Sequence, residues 1–338
     1  MKRVVHLGPS ESKGGMAAVI ENMAKNAPDG WISEIISTHA DSAIRSIIRW
    51  RNGLREFSSG LKVGRYDIAH VHVTHSMSWW RKLSFIKKCE KFDIPVVIHI
   101  HSGKFDVFCS GFAGKSVRKT TYKKNRKTVV LEERWRKKLS DWIPPDSEVV
   151  RNFASPIHRG KKFPGREIKL LVLSRSSPIK RHEFAIDVVE CINNLGREAS
   201  LSITGGRKPI GGHSSGIGVS DLGWVSKEER ESLLSESDFL LSPSKYEGAS
   251  MSIIESMVSG IPCLASRASE ETVGVKELII EEENPEKWAE RILELSNSQD
   301  YPRVVDLVLA RAEKYSPSLN KKKIGEVYEN LLRSHDSD

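Results

Sequence analysis

The segment Ser242-Pro243-Ser244-Lys245-Tyr246-Glu247-Gly248-Ala249-Ser250-Met251-Ser252-Ile253-Ile254-Glu255 holds the residues best placed to do chemistry. It reads as a strand end, a glycine-containing loop and a helix that starts near Ser250. The first backbone N–H groups of a helix have no partner inside it, and its dipole is positive at that end. Such a start is an anion site. Glu247 lies in the loop and Glu255 inside the helix. A carboxylate beside a phosphate repels it, so the two glutamates suit the hydroxyls of a sugar. Taken alone, the spacing is a weak pattern: a surface glutamate and a helix-face glutamate would give it too.

Two cations strengthen it. Arg175 and Lys180, with Pro178 between them, follow an apolar strand over 169–174. Two positive charges at a strand end match a diphosphate. A solvated basic loop is the plain alternative. Near the start, Gly14-Gly15 closes a loop between a strand and a helix, where the missing side chain lets backbone approach a phosphate or a sugar. An ordinary turn would look the same.

Other signals are weaker. Gly114-Lys115-Ser116 resembles the end of a phosphate-binding P-loop, but Cys109 stands where the motif needs glycine. No G-x-G-x-x-G follows the first strand, which leaves a nicotinamide dehydrogenase unsupported. The pairs His70/His72 and His99/His101 each place two imidazoles on one face of a strand. A metal-dependent hydrolase would add an Asp/His set at a later strand end, and none is apparent, so packed strand histidines are the preferred reading. The D-x-D at Asp336–Asp338 is a terminal tail. Cys89, Cys109, Cys191 and Cys263 lie far apart, which excludes a disulfide framework and a thiolate zinc site.

The elements that must carry these groups alternate. Strands are predicted over 3–7, 32–37, 67–73, 95–99 and 128–131, with 149–152 running into a linker through 165. Helices are predicted over 16–26, 43–57 and 79–92. The pattern then restarts. Strands fall at 169–174, 201–204, 219–225 and 238–241, and helices at 183–194 and 251–259. Ser226 and Glu229 form a capping box, and Gly260 and Pro262 end the last helix. Alternation of this kind means parallel α/β units, and 338 residues suffice for two of them.

The charge is divided between them. The net charge is +9. Residues 1–150 hold 27 Lys and Arg against 15 Asp and Glu, a net of +12, and residues 151–338 hold 26 against 29, a net of −3. The basic half is expected to face something anionic. Trp79–Phe85, Arg118–Lys127 and the helix from Arg45 to Phe57 mix cations with aromatic and aliphatic residues, as interfacial segments do. Solvated helix faces are the alternative. Mean hydropathy is −0.38 and no apolar run reaches the ~20 residues of a spanning helix. The start, Met1–Gly8, lacks the longer apolar run and cleavage site of a signal peptide. A cytoplasmic location is expected.

In this order, several pieces together resemble the retaining glycosyltransferases of family 4, the glycosyl transferases group 1. They are Ser12-Lys13-Gly14-Gly15-Met16, His99-Ile100-His101-Ser102-Gly103-Lys104-Phe105, Arg151-Asn152, Arg175 with Lys180, Thr204-Gly205-Gly206, Gly223-Trp224, and Glu247 with Glu255 leading to Gly260-Ile261-Pro262. The resemblance implies the GT-B fold: two Rossmann-like α/β/α domains facing each other across a cleft. It implies an acceptor-binding domain over 1–152, a nucleotide-sugar domain over 153–316, and a terminal helix over 317–338 that packs back on the first domain.

It also implies roles. Arg175 and Lys180 neutralise the donor diphosphate. Glu255 binds the ribose and Glu247 the transferred sugar. Backbone at Gly205, Gly248, Ala249 and Ser250 cradles sugar and phosphate, Gly14 and Gly15 approach the phosphates, and His101 lies near the reacting sugar. Arg175, Lys180, Glu247 and His101 are the implied catalytic set, with no metal and no cofactor. The donor is a UDP-sugar, with GDP-sugar as the alternative, and the acceptor a glycan or lipid-linked hydroxyl in bacterial surface polysaccharide or glycolipid synthesis. Binding to an anionic membrane surface is expected, peripherally on the inner face, and nucleic acid is not. Ser174, Arg181 and the loop Gly-Ala-Ser-Met after Glu247 depart from the family pattern. Two other readings stand beside it: a nucleotide-sugar epimerase of the same fold, and a non-catalytic basic protein that binds membrane or nucleic acid.

Overall fold

The computed structural model describes residues 1–10, 14–40, 42–157, 163–206 and 218–336. Ser12 and Lys13 of the first glycine motif, part of the linker and the Ser337-Asp338 end of the D-x-D tail lie outside the described residues. The chain forms two compact units, Met1–Phe153 with Pro317–Asp338, and Ala154–Ser316.

The first unit is a parallel sheet of β1 (Lys2–Gly8), β2 (Trp31–Ser37), β3 (Ile68–Val73), β4 (Val96–Ile100), β5 (Arg126–Val130) and β6 (Glu148–Val149), in the order β2-β1-β3-β4-β5-β6. Every residue of β3 and β4 is buried. Crossover helices on both faces of a parallel sheet bury both sides of its central strands. Phe57, Trp79 and Phe85 fill the space beneath the helices at 0% exposure. Each buried phenylalanine contributes about 1.5–3 kcal/mol. At Gly8, the last residue of β1, a Cβ would lie 2.1 Å from Ile20 Cδ1.

The second unit is a parallel sheet of β7 (Ile168–Leu173), β8 (Ala199–Thr204), β9 (Val219–Asp221), β10 (Phe239–Ser242) and β11 (Cys263–Ala265), in the order β11-β10-β7-β8-β9. Strand order reverses between β1 and β3 in the first sheet and between β7 and β10 in the second. Open α/β sheets bind ligands at the carboxyl ends of strands at such reversals. Between β7 and β10 the pairing stops at Leu171 and Leu240, two residues short of each strand's end. The strands part there.

Sequence and structure differ at several elements. The strand expected over 219–225 ends at Asp221, since Gly223 turns the chain at a φ of 62°. The strand expected over 149–152 shrinks to Glu148–Val149. The helix begun at Ala43 runs on to Lys62. The three-residue β11 and the helices Pro285–Leu295 and Asp300–Ala312 are additions.

The terminal helix, Pro317–Asp336, belongs to the first unit. Trp31 Nε1 donates to Glu329 Oε1 at 2.9 Å, and Asn320 Nδ2 donates to the carbonyl of Arg151 at 2.6 Å. Tyr328 sits over the sheet with its hydroxyl 2.6 Å from His70 Nδ1.

That tyrosine covers an unusual core. His6 pairs in register with His70, and His72 with His99. With His101 they form a five-imidazole stack on one face of three strands, and the first four are at most 1% exposed. Burial holds His6 and His101 down at about 3, and His70, His72 and His99 also well below the usual imidazole value. Buried Lys82, hydrogen-bonded to Thr38 Oγ1, is pushed down for the same reason.

The sign of the pH effect follows. A folded-state pKa below the unfolded value means the unfolded chain binds more protons as pH falls. For the imidazoles the penalty is absent above about 6.5, the unfolded value, and grows as pH drops towards 3. The urea midpoint is therefore expected to fall more steeply from pH 6.5 to 4, where the imidazoles add to the decline that Lys82 already contributes, than between pH 8 and 7. A midpoint that rises on acidification would contradict neutral burial.

Candidate functional site

The site in the second unit starts from a steric constraint. Gly205, after β8, adopts a φ of +80°. A Cβ there would lie 2.3 Å from the carbonyl oxygen of Ser174 and 2.9 Å from Arg175 Cα. Glycine thus lets the chain after β8 press against the chain after β7. The N–H of Ser176 donates to the carbonyl of Gly205 at 3.0 Å and holds the contact. Arg175 leaves this junction exposed, with its guanidinium carbon 5.8 Å from the ring centre of Trp224. A guanidinium presents a planar fork of N–H donors that matches the oxygens of an anion.

The same loop reaches β10. The N–H of Lys245 donates to the carbonyl of Ile179 at 2.9 Å, which ties the loops after β7 and β10 together. Beside that tie Lys180 Nζ forms an ion pair with Glu247 Oε1. The two side chains are 19% and 8% exposed, so the pair is largely withdrawn from water. Sequence alone separates these residues into phosphate and sugar roles. The structure joins them.

Ser250 is the N-cap of the helix Met251–Val258, and its side chain caps nothing. Its hydroxyl lies 3.0 Å from that of Ser252. The first-turn N–H groups are thus presented at the carboxyl edge of β10. Glu255 sits five residues into this helix. Its Oε1 lies 3.2 Å from the Arg230 guanidinium, and its buried Oε2 has no hydrogen-bond partner among the described residues. Burial raises its pKa, against the pull of Arg230. A buried carboxyl oxygen without a donor costs free energy that a ligand hydroxyl would recover.

Arg181 departs from the family's glycine, yet it keeps the left-handed backbone with a φ of 55°. Its guanidinium stacks on Phe184 at 4.2 Å, a contact glycine could not make.

Residues 167–298 match a family model described as glycosyl transferases group 1. That stretch is a group 1 glycosyltransferase domain. The whole chain has the GT-B fold. It superposes on sucrose-phosphate synthase from Thermosynechococcus elongatus with a TM-score of 0.74 at 13% identity, covering 99% of this chain and 100% of that one. It superposes on HepE from Anabaena, in complex with UDP-glucose, with a TM-score of 0.72 at 12% identity, covering 98% and 100%. A relative from Klebsiella pneumoniae, described as an uncharacterized 41.2 kDa protein in a cps region, is 20% identical over 304 residues, 79% of this chain and 81% of its own length.

Within the group 1 domain, Arg175, Lys180, Gly205, Glu247, Gly248, Ala249, Ser250 and Glu255 all belong to the chain turns after β7, β8 and β10 or to the helix that follows. The remaining site residues belong to the first unit. Gly14 is the N-cap of the helix Gly15–Lys25, again without a side-chain cap, after β1. His101 follows β4 directly.

The basic segments of the first unit need correction. Trp79 is fully buried and its indole N–H donates to Ser116 Oγ at 3.1 Å. Lys82 and Phe85 are buried as well. Helix periodicity sends them inward. Arg126 is 3% exposed and paired with Glu90. The surface is instead made by Ile44, Ile47 and Ile48, at 75%, 57% and 55% exposure, beside exposed Arg45 and Arg51 on the helix Ala43–Lys62. Phe112, 82% exposed, stacks on half-buried Trp80 with ring centres 5.8 Å apart. Among the described residues no helix is long and apolar enough to cross a membrane.

Gly205 offers the direct test of the junction. Gly205→Ala must either leave the left-handed region or displace Ser174 and Arg175, and the backbone term alone costs about 1–2 kcal/mol. Urea denaturation should show at least that loss. A variant of unchanged stability would remove the close approach.

Proposed function

We propose that the chain is a retaining glycosyltransferase that moves a sugar from a nucleoside diphosphate to a hydroxyl acceptor. The observation that carries the reading is the gathering, at the reversal between β7 and β10, of the Lys180–Glu247 pair, Arg175, an uncapped helix start and a buried carboxyl oxygen without a donor. Cations and free N–H groups serve a diphosphate, and carboxylates serve hydroxyls. The complex of HepE with UDP-glucose, in a chain of the same fold, supports UDP as the nucleotide. GDP remains the alternative to be tested.

Arg175 and Lys180 take the diphosphate, Ser250 and the N–H groups behind it the adjoining phosphate or sugar oxygens, and Glu255 the ribose hydroxyls. Glu247 holds hydroxyls of the transferred sugar. Donor binding then redirects Lys180 from Glu247 towards phosphate. In a front-face substitution the bond from the anomeric carbon to the phosphate oxygen breaks and the bond to the acceptor oxygen forms on the same face. The acceptor proton passes to the leaving phosphate oxygen. The sugar becomes oxocarbenium-like on the way, so the protein's part is mainly electrostatic. No metal is required, since protein cations meet the leaving charge.

The acceptor belongs to the first unit, beside Gly14, Gly15 and His101. A glycan or lipid-linked acceptor of a bacterial surface polymer fits the basic charge there. The exposed isoleucines among arginines on the helix Ala43–Lys62 suit an anionic membrane surface.

Thermal stabilisation by a panel of nucleotide sugars, followed by nucleoside diphosphate release with candidate acceptors, tests the activity. With the identified donor, Glu255→Gln should chiefly weaken nucleotide binding. Glu247→Gln removes charge beside a developing cation, so kcat should fall more than KM rises. If the two variants show the opposite pattern, the donor lies the other way round. Liposome flotation tests the membrane. Recovery should require anionic lipid, weaken with salt and drop for the triple variant Ile44→Asp, Ile47→Asp, Ile48→Asp. Equal recovery with neutral vesicles would refute docking.

A further inference from the structure

The imidazole stack resolves into two hydrogen-bonded chains. In one, His101 Nε2 lies 2.9 Å from His72 Nδ1, and His72 Nε2 lies 3.0 Å from His6 Nδ1. In the other, His99 Nδ1 lies 3.1 Å from His70 Nε2, and His70 Nδ1 meets the Tyr328 hydroxyl. Nitrogens of His6, His70 and His72, and of His72, His99 and His101, lie within 4.8 Å of one another, close enough to suggest metal binding. Each close N···N contact, however, consumes the lone pair that a metal would take, and no carboxylate joins either set to offset a buried double charge.

A neutral imidazole has one donor and one acceptor. Along the chain from His101 to His6 every proton must therefore point the same way. If all point inward, His6 ends the chain with an N–H at Nε2. If all point outward, His6 ends it with a lone pair. That Nε2 is buried and has no partner among the described residues. Orphaned buried N–H groups are rarer than under-satisfied acceptors. The outward arrangement then has His6 Nδ1–H donating to His72 Nε2 and His72 Nδ1–H donating to His101 Nε2. The proton of His101 is left at Nδ1. His101 is half-buried, and its Nδ1 has no partner among the described residues.

We infer that His72, backed by His6, is a positioning residue that fixes His101 as the Nδ1–H tautomer, so that His101 meets its substrate as a hydrogen-bond donor and never as a base. Burial supports this by keeping all three rings neutral at pH 7. A donor is suited to a sugar hydroxyl or ring substituent. The part played at the substrate rests on the placement of His101 proposed above, whereas the tautomer does not.

The experiment is long-range 1H–15N spectroscopy on the 15N-histidine-labelled protein, with His101 assigned by the signals lost in His101→Gln. The wild type should show Nδ1 of His101 protonated and Nε2 not. His72→Asn places an amide N–H where Nδ1–H was and should preserve that signature, while His72→Leu should give a mixture of tautomers. In turnover, His72→Leu should lower kcat about tenfold with KM nearly unchanged, and His72→Asn should restore it to within about threefold. An Nε2–H tautomer in the wild type, a charged ring at pH 7, or equal loss of kcat in both folded variants would overturn the inference. Wild-type protein inactive with every nucleotide sugar would defeat the glycosyltransferase reading, and the spectrum would still decide the tautomer.

Discussion

The parting of β7 and β10 beyond Leu171 and Leu240 is the constraint on which the site depends. A parallel sheet covered on both faces has no polar surface of its own, so chemistry is confined to strand ends. Where two central strands keep pairing to their ends, the loops above them close the edge. Here they diverge early, because the next strand from β7 runs towards β8 and the next from β10 towards β11. Gly205 then lets the loop after β8 press on Ser174 and Arg175, and the Lys245–Ile179 hydrogen bond closes the far side. Backbone contacts consequently fix the chain that carries both cations.

The electrostatics of that edge are balanced between two carboxyl groups held differently. Glu247 forms an ion pair with Lys180 that is largely withdrawn from water. Glu255 meets Arg230 on one oxygen and has no donor on the other among the described residues, and burial raises its pKa. Burying an ion pair costs desolvation that its own attraction barely repays. A pair kept in such a place is easier to understand as one that exchanges partners. A diphosphate offers Lys180 more charge than Glu247 does, and a sugar hydroxyl offers Glu247 a donor in return.

Much of this was legible in the sequence, and the reasons for the rest are physical. Alternating apolar runs marked both sheets, the capping box at Ser226 and Glu229 forms as written, and the segment from Ser242 to Glu255 stands as strand, loop and helix. What sequence could not show were contacts between distant segments. His6 joins His70 because β1 and β3 are neighbours, which the strand order decides. Trp79 looked like half of an interfacial pair, but three-dimensional packing turns it inward and leaves Phe112 as the exposed ring beside Trp80. Three residues of β11 behind Pro262 are too few to carry a period. Gly205 stands in the expected donor site, and its φ and its neighbours add a close approach of chain to chain that the sequence does not show.

The two units thus handle polarity in opposite ways. The edge of the second sheet concentrates formal charge, with Arg175, Lys180 and Glu247 at its strand ends. The first sheet buries imidazoles in a core that forbids their protonation. Residues 1–150 carry a net charge of +12, and four of the stacked imidazoles are at most 1% exposed. For the proposed transfer this division is useful. A sugar acquiring positive charge is destabilised by a neighbouring imidazolium and tolerated by a neutral N–H donor. Burial achieves this without a carboxylate partner, since desolvation, aided by the neighbouring imidazoles, keeps the rings uncharged. The cost of desolvation falls on the stability of the first unit in acid, where the same imidazoles must either stay neutral or break the sheet that holds them.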